Sequence, residues 1–131
     1  MVEPNLEVIE LFASISTTSE DGNSRVVDRA QIETRRLDNI NSCPFPDYAN
    51  LDIQSAELMV LENGMEKLSQ AVVIETEVEF MEAFKRQPLF GDIQTSLWRI
   101  GFAPHKMVDI AGRNIRLLGT DAPADAMSQF L

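Results

Sequence analysis

The sequence predicts a mixed α/β fold in which parallel strands alternate with amphipathic helices and a final antiparallel pair closes the sheet. Three observations predict it. Two apolar runs, Tyr48 to Ile53 and Ala71 to Phe80, have strand character. Between them Leu58, Leu61, Met65 and Leu68 recur at helical spacing. Near the end, Phe102 to Ile110 and Ile115 to Leu118 are joined only by the short turn Ala111 to Asn114. A helical crossover lets two strands run parallel, whereas a short connection turns the chain back on itself.

In order along the chain, Pro4 to Ala13 (PNLEVIELFA) puts Leu6, Ile9 and Ala13 on one face behind a Pro suited to a first turn, and predicts a short helix. Ser14 to Arg25, rich in Ser, Thr, Asp, Asn and Gly, is expected to be a loop. From Val26 to Leu37, Ala30, Ile32 and Thr34 alternate with Gln31, Glu33 and Arg35, the pattern of a half-exposed strand. Asp38 to Asp47, with Pro44 and Pro46, breaks it.

YANLDI (48–53) is the next strand, and the helix after it has Gly64 as a weak point or a stop. AVVIETEVEF (71–80) opens as an unbroken apolar run, which predicts a strand buried on both faces, parallel to its predecessor through a right-handed crossover. Past Gln87 and Pro88, Asp92 can cap a helix striped by Ile93, Leu97 and Ile100, and Gly101 can end it in the left-handed conformation. Trp98 and Phe102 are expected in the core, and Gly119 to Leu131 is expected to be a flexible tail after a single domain over 1–118.

Eleven Lys and Arg against 21 Asp and Glu give a net charge of −10, which repels nucleic-acid phosphates and anionic membrane surfaces. One Cys and one His fall short of a zinc site, and Cys43 has no second cysteine to pair with. No run of eighteen apolar residues and no basic, apolar leader occurs, so a soluble, cytoplasmic protein without a structural metal is expected.

Open α/β sheets bind ligands beyond the carboxyl ends of their strands, where this sequence concentrates acids. Asp52 closes the first apolar strand with Gln54 and Glu57 just beyond, and Glu75, Glu77 and Glu79 share one face of the second. Such acids either face a crevice or are a solvated strand end, and Asp52 can equally cap the following helix. His105 has no Asp, Ser or Cys at a telling spacing, and Arg35 and Arg36 have the character of surface residues. No glycine-rich phosphate loop and no nucleophile elbow occurs.

Gln31 to Leu61 (QIETRRLDNINSCPFPDYANLDIQSAELMVL) resembles a segment of FkbM-type S-adenosylmethionine-dependent methyltransferases, in which Thr-Arg-Arg-Leu-Asp precedes a strand of the type Lys-x-Asp-x-Gln-Gly-x-Glu. Asp52, Gln54 and Glu57 match it; Asn50 stands where the family has Lys, and Ser55 where it has Gly. Glu75 to Asp92 (ETEVEFMEAFKRQPLFGD) resembles the family's next block, with Glu77, Phe80, Gln87, Pro88, Leu89 and Phe90 in matching places, and Glu3-Pro4-Asn5 resembles its Pro-Asn before a short helix.

The resemblance implies a partial Rossmann-like class I methyltransferase sheet and methyl transfer from S-adenosylmethionine to a hydroxyl of a small molecule or glycan. It implies Asp52 and Glu77 as catalytic candidates and Gln54, Glu57, Phe80 and Gln87 as residues that bind substrate or cofactor. It further implies a carboxyl-terminal half, with the glycine-rich cofactor strand and turn lying upstream of Met1, so that S-adenosylmethionine belongs to the complete enzyme. Two alternatives stay open. One is a non-catalytic interaction module that associates, with itself or a partner, through an exposed sheet edge; the other is an acidic binding domain for a cationic ligand.

Overall fold

A computed structural model describes residues 3–11 and 28–110. Their contacts divide into two compact units, Met1–Arg29 with Met81–Lys85 and His105–Leu131, and Ala30–Phe80 with Arg86–Pro104.

In the first unit the predicted amino-terminal helix is a single turn, α1 (Leu6–Ile9), and Pro4 pairs with Phe84 in an isolated antiparallel bridge. The Asn5 amide donates to the Ala83 carbonyl at 2.9 Å and the Lys85 amide to that of Glu3 at 2.8 Å. Buried Ile9 packs with Val8, Met81 and Ala83. A Lys85–Glu3 ion pair at 2.7 Å joins the same segments at the surface, where such pairs add little stability.

The second unit holds the sheet. Strands β1 (Tyr48–Leu51) and β2 (Val73–Thr76) pair in parallel with Tyr48 opposite Val73 and Leu51 opposite Thr76, as the apolar runs and the helical crossover predict. The crossover comprises two short helices, α2 (Glu57–Glu62) and α3 (Met65–Leu68), because the chain stops and restarts at Gly64. A Cβ on Gly64 would lie 2.7 Å from Leu37 Cδ2 and 3.0 Å from the Val60 carbonyl oxygen, so close packing selects glycine there. Helix α4 (Phe90–Arg99) follows β2, and Gly101 past its end has φ +91, the left-handed stop expected. Asp92 lies inside the first turn rather than at the cap, and its carboxylate accepts the Leu89 amide at 2.9 Å.

Alternation in the strands decides which side is packed. Ala49, Leu51 and Ile74 face a core of Leu61, Leu68 and Ile93, joined by Leu37, Leu58, Val78, Leu97 and Ile100. Tyr48 and Val73 face outward, 54% and 49% exposed, so β2 is covered on one face and not, as its opening run predicted, on both.

Three further expectations are corrected. Residues 28–36 form no strand and the chain enters a 3-10 turn at Leu37–Asn39; Ile32 is 76% exposed, so the alternation there has no neighbouring surface to bury against. Phe102 to Ile110 is not a strand either: everything past Phe102 is exposed and no partner strand lies beside it among the described residues, so no antiparallel pair closes the described sheet. Trp98, expected in the core, is 59% exposed on the outer side of α4, while Phe102 is half-buried. The Ser14 to Arg25 loop, the Ala111 to Asn114 turn, the Ile115 to Leu118 strand and the tail lie outside the described residues.

Two polar side chains fix the segment before β1. Asp38 accepts the Glu66 and Lys67 amides at 3.3 and 3.1 Å, satisfying donors that the short helix α3 leaves free. Lys67 is 6% exposed, and its ammonium donates to the carbonyls of Ile40, at 2.8 Å, and Cys43 while lying 5.8 Å from the Phe45 ring centroid. The cation is held by backbone oxygens and an aromatic face, without a carboxylate in that arrangement. Cys43 is a free thiol.

Candidate functional site

The matched acids assemble at the carboxyl end of the parallel pair. Past Leu51 the chain turns through Asp52 to Ala56 into α2, with φ +52 at Gln54 and +79 at Ser55. Past Thr76, the Glu77 amide donates to the Leu51 carbonyl at 2.9 Å, which extends the register by one residue and sets Glu77 beside that turn. The Gln54 side-chain nitrogen then donates to Asp52 Oδ1 at 3.0 Å and to Glu77 Oε2 at 2.9 Å. Glu57 is 5% exposed and turns its carboxylate back to accept the Ile53 amide at 2.8 Å, pinning the start of the same turn.

This crowding changes the chemistry of Glu77. Its carboxyl is pushed up to about 7, first by desolvation, which is partial because the side chain still reaches solvent. The Asp52 charge and a hydrogen bond with Asp52 come next, followed by the charges of Glu79 and Glu57. A carboxyl that gains and loses its proton near neutrality can act as a general base.

Capping does not account for Asp52: helix α2 begins after Ala56 with no side-chain cap bond, and Asp52 hydrogen-bonds to Gln54 instead. Of the carboxylates that alternate at 75, 77 and 79, Glu75 and Glu77 have different hydrogen-bond partners. On the outer sheet face Glu75 accepts the Tyr48 hydroxyl at 2.8 Å, and this bond leads the causes that raise the Tyr48 phenol. The Glu79 backbone carbonyl accepts the Phe90 amide at 2.8 Å, tying the strand exit to α4.

The remaining sequence candidates stand elsewhere in the same unit. Phe80 stacks on Phe90 with ring centroids 5.5 Å apart, and Gln87 is buried in the turn that leads to α4. Arg35 and Arg36 are exposed, as is His105 in the first unit. Among the described residues no group of three or more His, Cys, Asp or Glu is arranged to hold a metal, and no helix is long and apolar enough to cross a membrane.

Ser55 departs from what its backbone asks for. At φ +79 a side chain is strained where glycine is not, and the Ser55 hydroxyl is buried without a hydrogen-bond partner. Both costs end in Ser55→Gly, offset in part by the greater chain entropy of glycine when unfolded. Thermal unfolding should show a gain of about 1 kcal/mol, a rise in Tm of roughly 3–5 °C; a lower Tm in the variant would mean the serine makes a compensating contact.

The acid turn and the strand it follows lie within a family match. The family model described as the Methyltransferase FkbM domain matches residues 3–104, which includes every described site residue. Comparison with curated proteins and with solved structures finds no match to the chain.

Proposed function

Because the chain belongs to the FkbM methyltransferase family, we propose that it forms the acid-bearing half of an S-adenosylmethionine-dependent methyltransferase acting on a hydroxyl of a small molecule or glycan. The observation that carries this reading is the joining of Asp52 and Glu77 through Gln54 at the carboxyl ends of the parallel strands. Strand ends of this kind are where such sheets take ligands.

Asp52 and Glu77 are the catalytic residues of this reading. A Glu77 carboxyl poised at about 7 accepts the proton of an attacking hydroxyl as the nucleophile forms, and the Asp52 charge beside it favours the proton's arrival. Gln54 and Glu57 hold the turn on which both acids depend, and Phe80 and Gln87 shape the approach to α4.

S-adenosylmethionine is the donor that the family implies, and when bound it supplies an electrophilic methyl group on a sulfonium cation. The residues fit one end of it: a cluster of carboxylates suits the sulfonium charge. They do not fit the other, because no glycine-rich strand and turn occurs among the 131 residues to cradle the nucleoside. In the proposed enzyme a glycine-rich segment other than these 131 residues supplies that cradle.

Titration calorimetry tests this. The 131-residue chain alone should bind S-adenosylmethionine weakly, with Kd above roughly 1 mM. The chain fused behind a glycine-rich half from another FkbM methyltransferase should bind at micromolar levels and release S-adenosylhomocysteine. Micromolar binding by the chain alone would reject the half-site reading. Binding by the fusion without any turnover on hydroxylated acceptors would favour an interaction module, for which the outward apolar pair Tyr48 and Val73 offers a surface.

A further inference from the structure

The Gln54 side chain is committed in a way that the family match does not state. Its amide nitrogen has two hydrogens, and both are taken, one by Asp52 Oδ1 at 3.0 Å and one by Glu77 Oε2 at 2.9 Å. The opposite amide orientation would set its oxygen against two carboxylates, so the network itself fixes which way the amide points. No donor is left over for a ligand. The backbone is bent to reach this arrangement, since Gln54 stands at φ +52, a region that non-glycine residues adopt at a cost. The two acids come from different strand ends, 52 and 77, and like charges on exposed side chains move apart unless something holds them.

We propose that Gln54 is a positioning residue: its side-chain amide holds the Asp52 and Glu77 carboxyls together across the two strand ends. The inference rests on the reading of these two acids as the working pair and assigns Gln54 to them rather than to substrate or cofactor. The surrounding charges define what the amide must resist. Asp52 and Glu57, from the turn and helix after β1, and Glu79, from the segment after β2, all act on Glu77, and all are acidic. On the outer sheet face Glu75 is engaged by the Tyr48 hydroxyl. The two amide hydrogens, one on each carboxyl, oppose the separation that these charges favour. The raised Glu77 carboxyl agrees with a pair held in contact.

The experiment is a carbon NMR titration of the side-chain carboxyls in the 131-residue chain between about pH 3 and pH 10. In the parent, the Glu77 signal should move with a midpoint near 7. Gln54→Leu keeps similar bulk but removes both donors. In that variant the acids should part, and the Glu77 midpoint should fall by about one pH unit or more. Glu79→Gln, which removes a neighbouring charge and leaves the amide, should lower the Glu77 midpoint by less.

A folded Gln54→Leu variant with the Glu77 midpoint unchanged or higher would overturn the proposal. It would mean that the acids are held by other groups. Unchanged amide shifts elsewhere in the sheet establish that the variant is folded. The functional reading fails separately: if the Glu77 midpoint falls in Gln54→Leu while Asp52→Asn leaves turnover of the completed enzyme intact, the pair is real and is not catalytic.

Discussion

Asp52→Asn should lower turnover of the completed enzyme by roughly ten- to ten-thousand-fold, the span associated with loss of a general base or of its partner. The substitution conserves size and leaves an oxygen for the Gln54 amide to meet, so the bridge at 3.0 Å survives in geometry. What disappears is a negative charge beside Glu77, second among the causes that lift that carboxyl to about 7. Without it Glu77 should titrate lower and be a weaker base, so the acidic limb of the pH–rate profile should move down while the plateau falls. Glu62→Gln, on the exposed end of α2, is the comparison and should leave both unchanged. Equal activity in the Asp52 variant and the parent would remove Asp52 from the site. A fall in activity matched by a fall in Tm would instead make it a structural residue.

The largest effect on stability is expected at Lys67. Lys67→Met preserves the length of the side chain and its apolar stem but deletes the ammonium that binds the carbonyls of Ile40 and Cys43. Hydrogen bonds from charged donors are worth about 1.5–3 kcal/mol each, and a buried carbonyl left unpaired carries its own desolvation cost. Contact with the Phe45 ring adds a smaller cation–π loss. A net destabilisation of about 2–4 kcal/mol is expected, read as a lower urea midpoint with an unchanged slope. A change below about 0.5 kcal/mol would mean that water replaces the ammonium at both carbonyls without strain.

How much of this could be read from residues alone follows from how far apart the interacting residues lie. Strands β1 and β2, their parallel pairing, the interruption at Gly64 and the stop at Gly101 all arise from patterns a few residues long, and the sequence predicts each of them. The alternation at 26–37 and the short connection after 102–110 are equally local, but a strand requires a partner, and none pairs with the described residues there. Trp98 was misplaced because the buried stripe of α4 runs through Ile93, Ser96, Leu97 and Ile100, and an indole at the helix end falls outside it. The structural work of Asp38 and Lys67 could not be read at all, since each acts on residues more than twenty positions away.

The site follows the same division. Resemblance picked out Asp52, Gln54, Glu57 and Glu77, and these four surround one turn, linked by hydrogen bonds and by charge. Their division of labour was not legible: Gln54 is occupied by the acids, and Glu57 holds the Ile53 amide. Ser55 in place of the family's glycine was visible as a departure. Its consequence, a strained backbone with a buried hydroxyl, required the turn itself.

The crossover between β1 and β2 also governs how the acid pair comes into being. Tyr48 to Glu75 spans 27 residues, Gln54 to Glu77 spans 23, Asp38 to Lys67 spans 29, and Lys67 to Cys43 spans 24. These loops overlap, so closing one shortens the stretch of chain that each of the others must still close. The sheet register, the clamp before β1 and the carboxyl pair are therefore expected to form in one chain closure, with no separate kinetic phase for the acid pair.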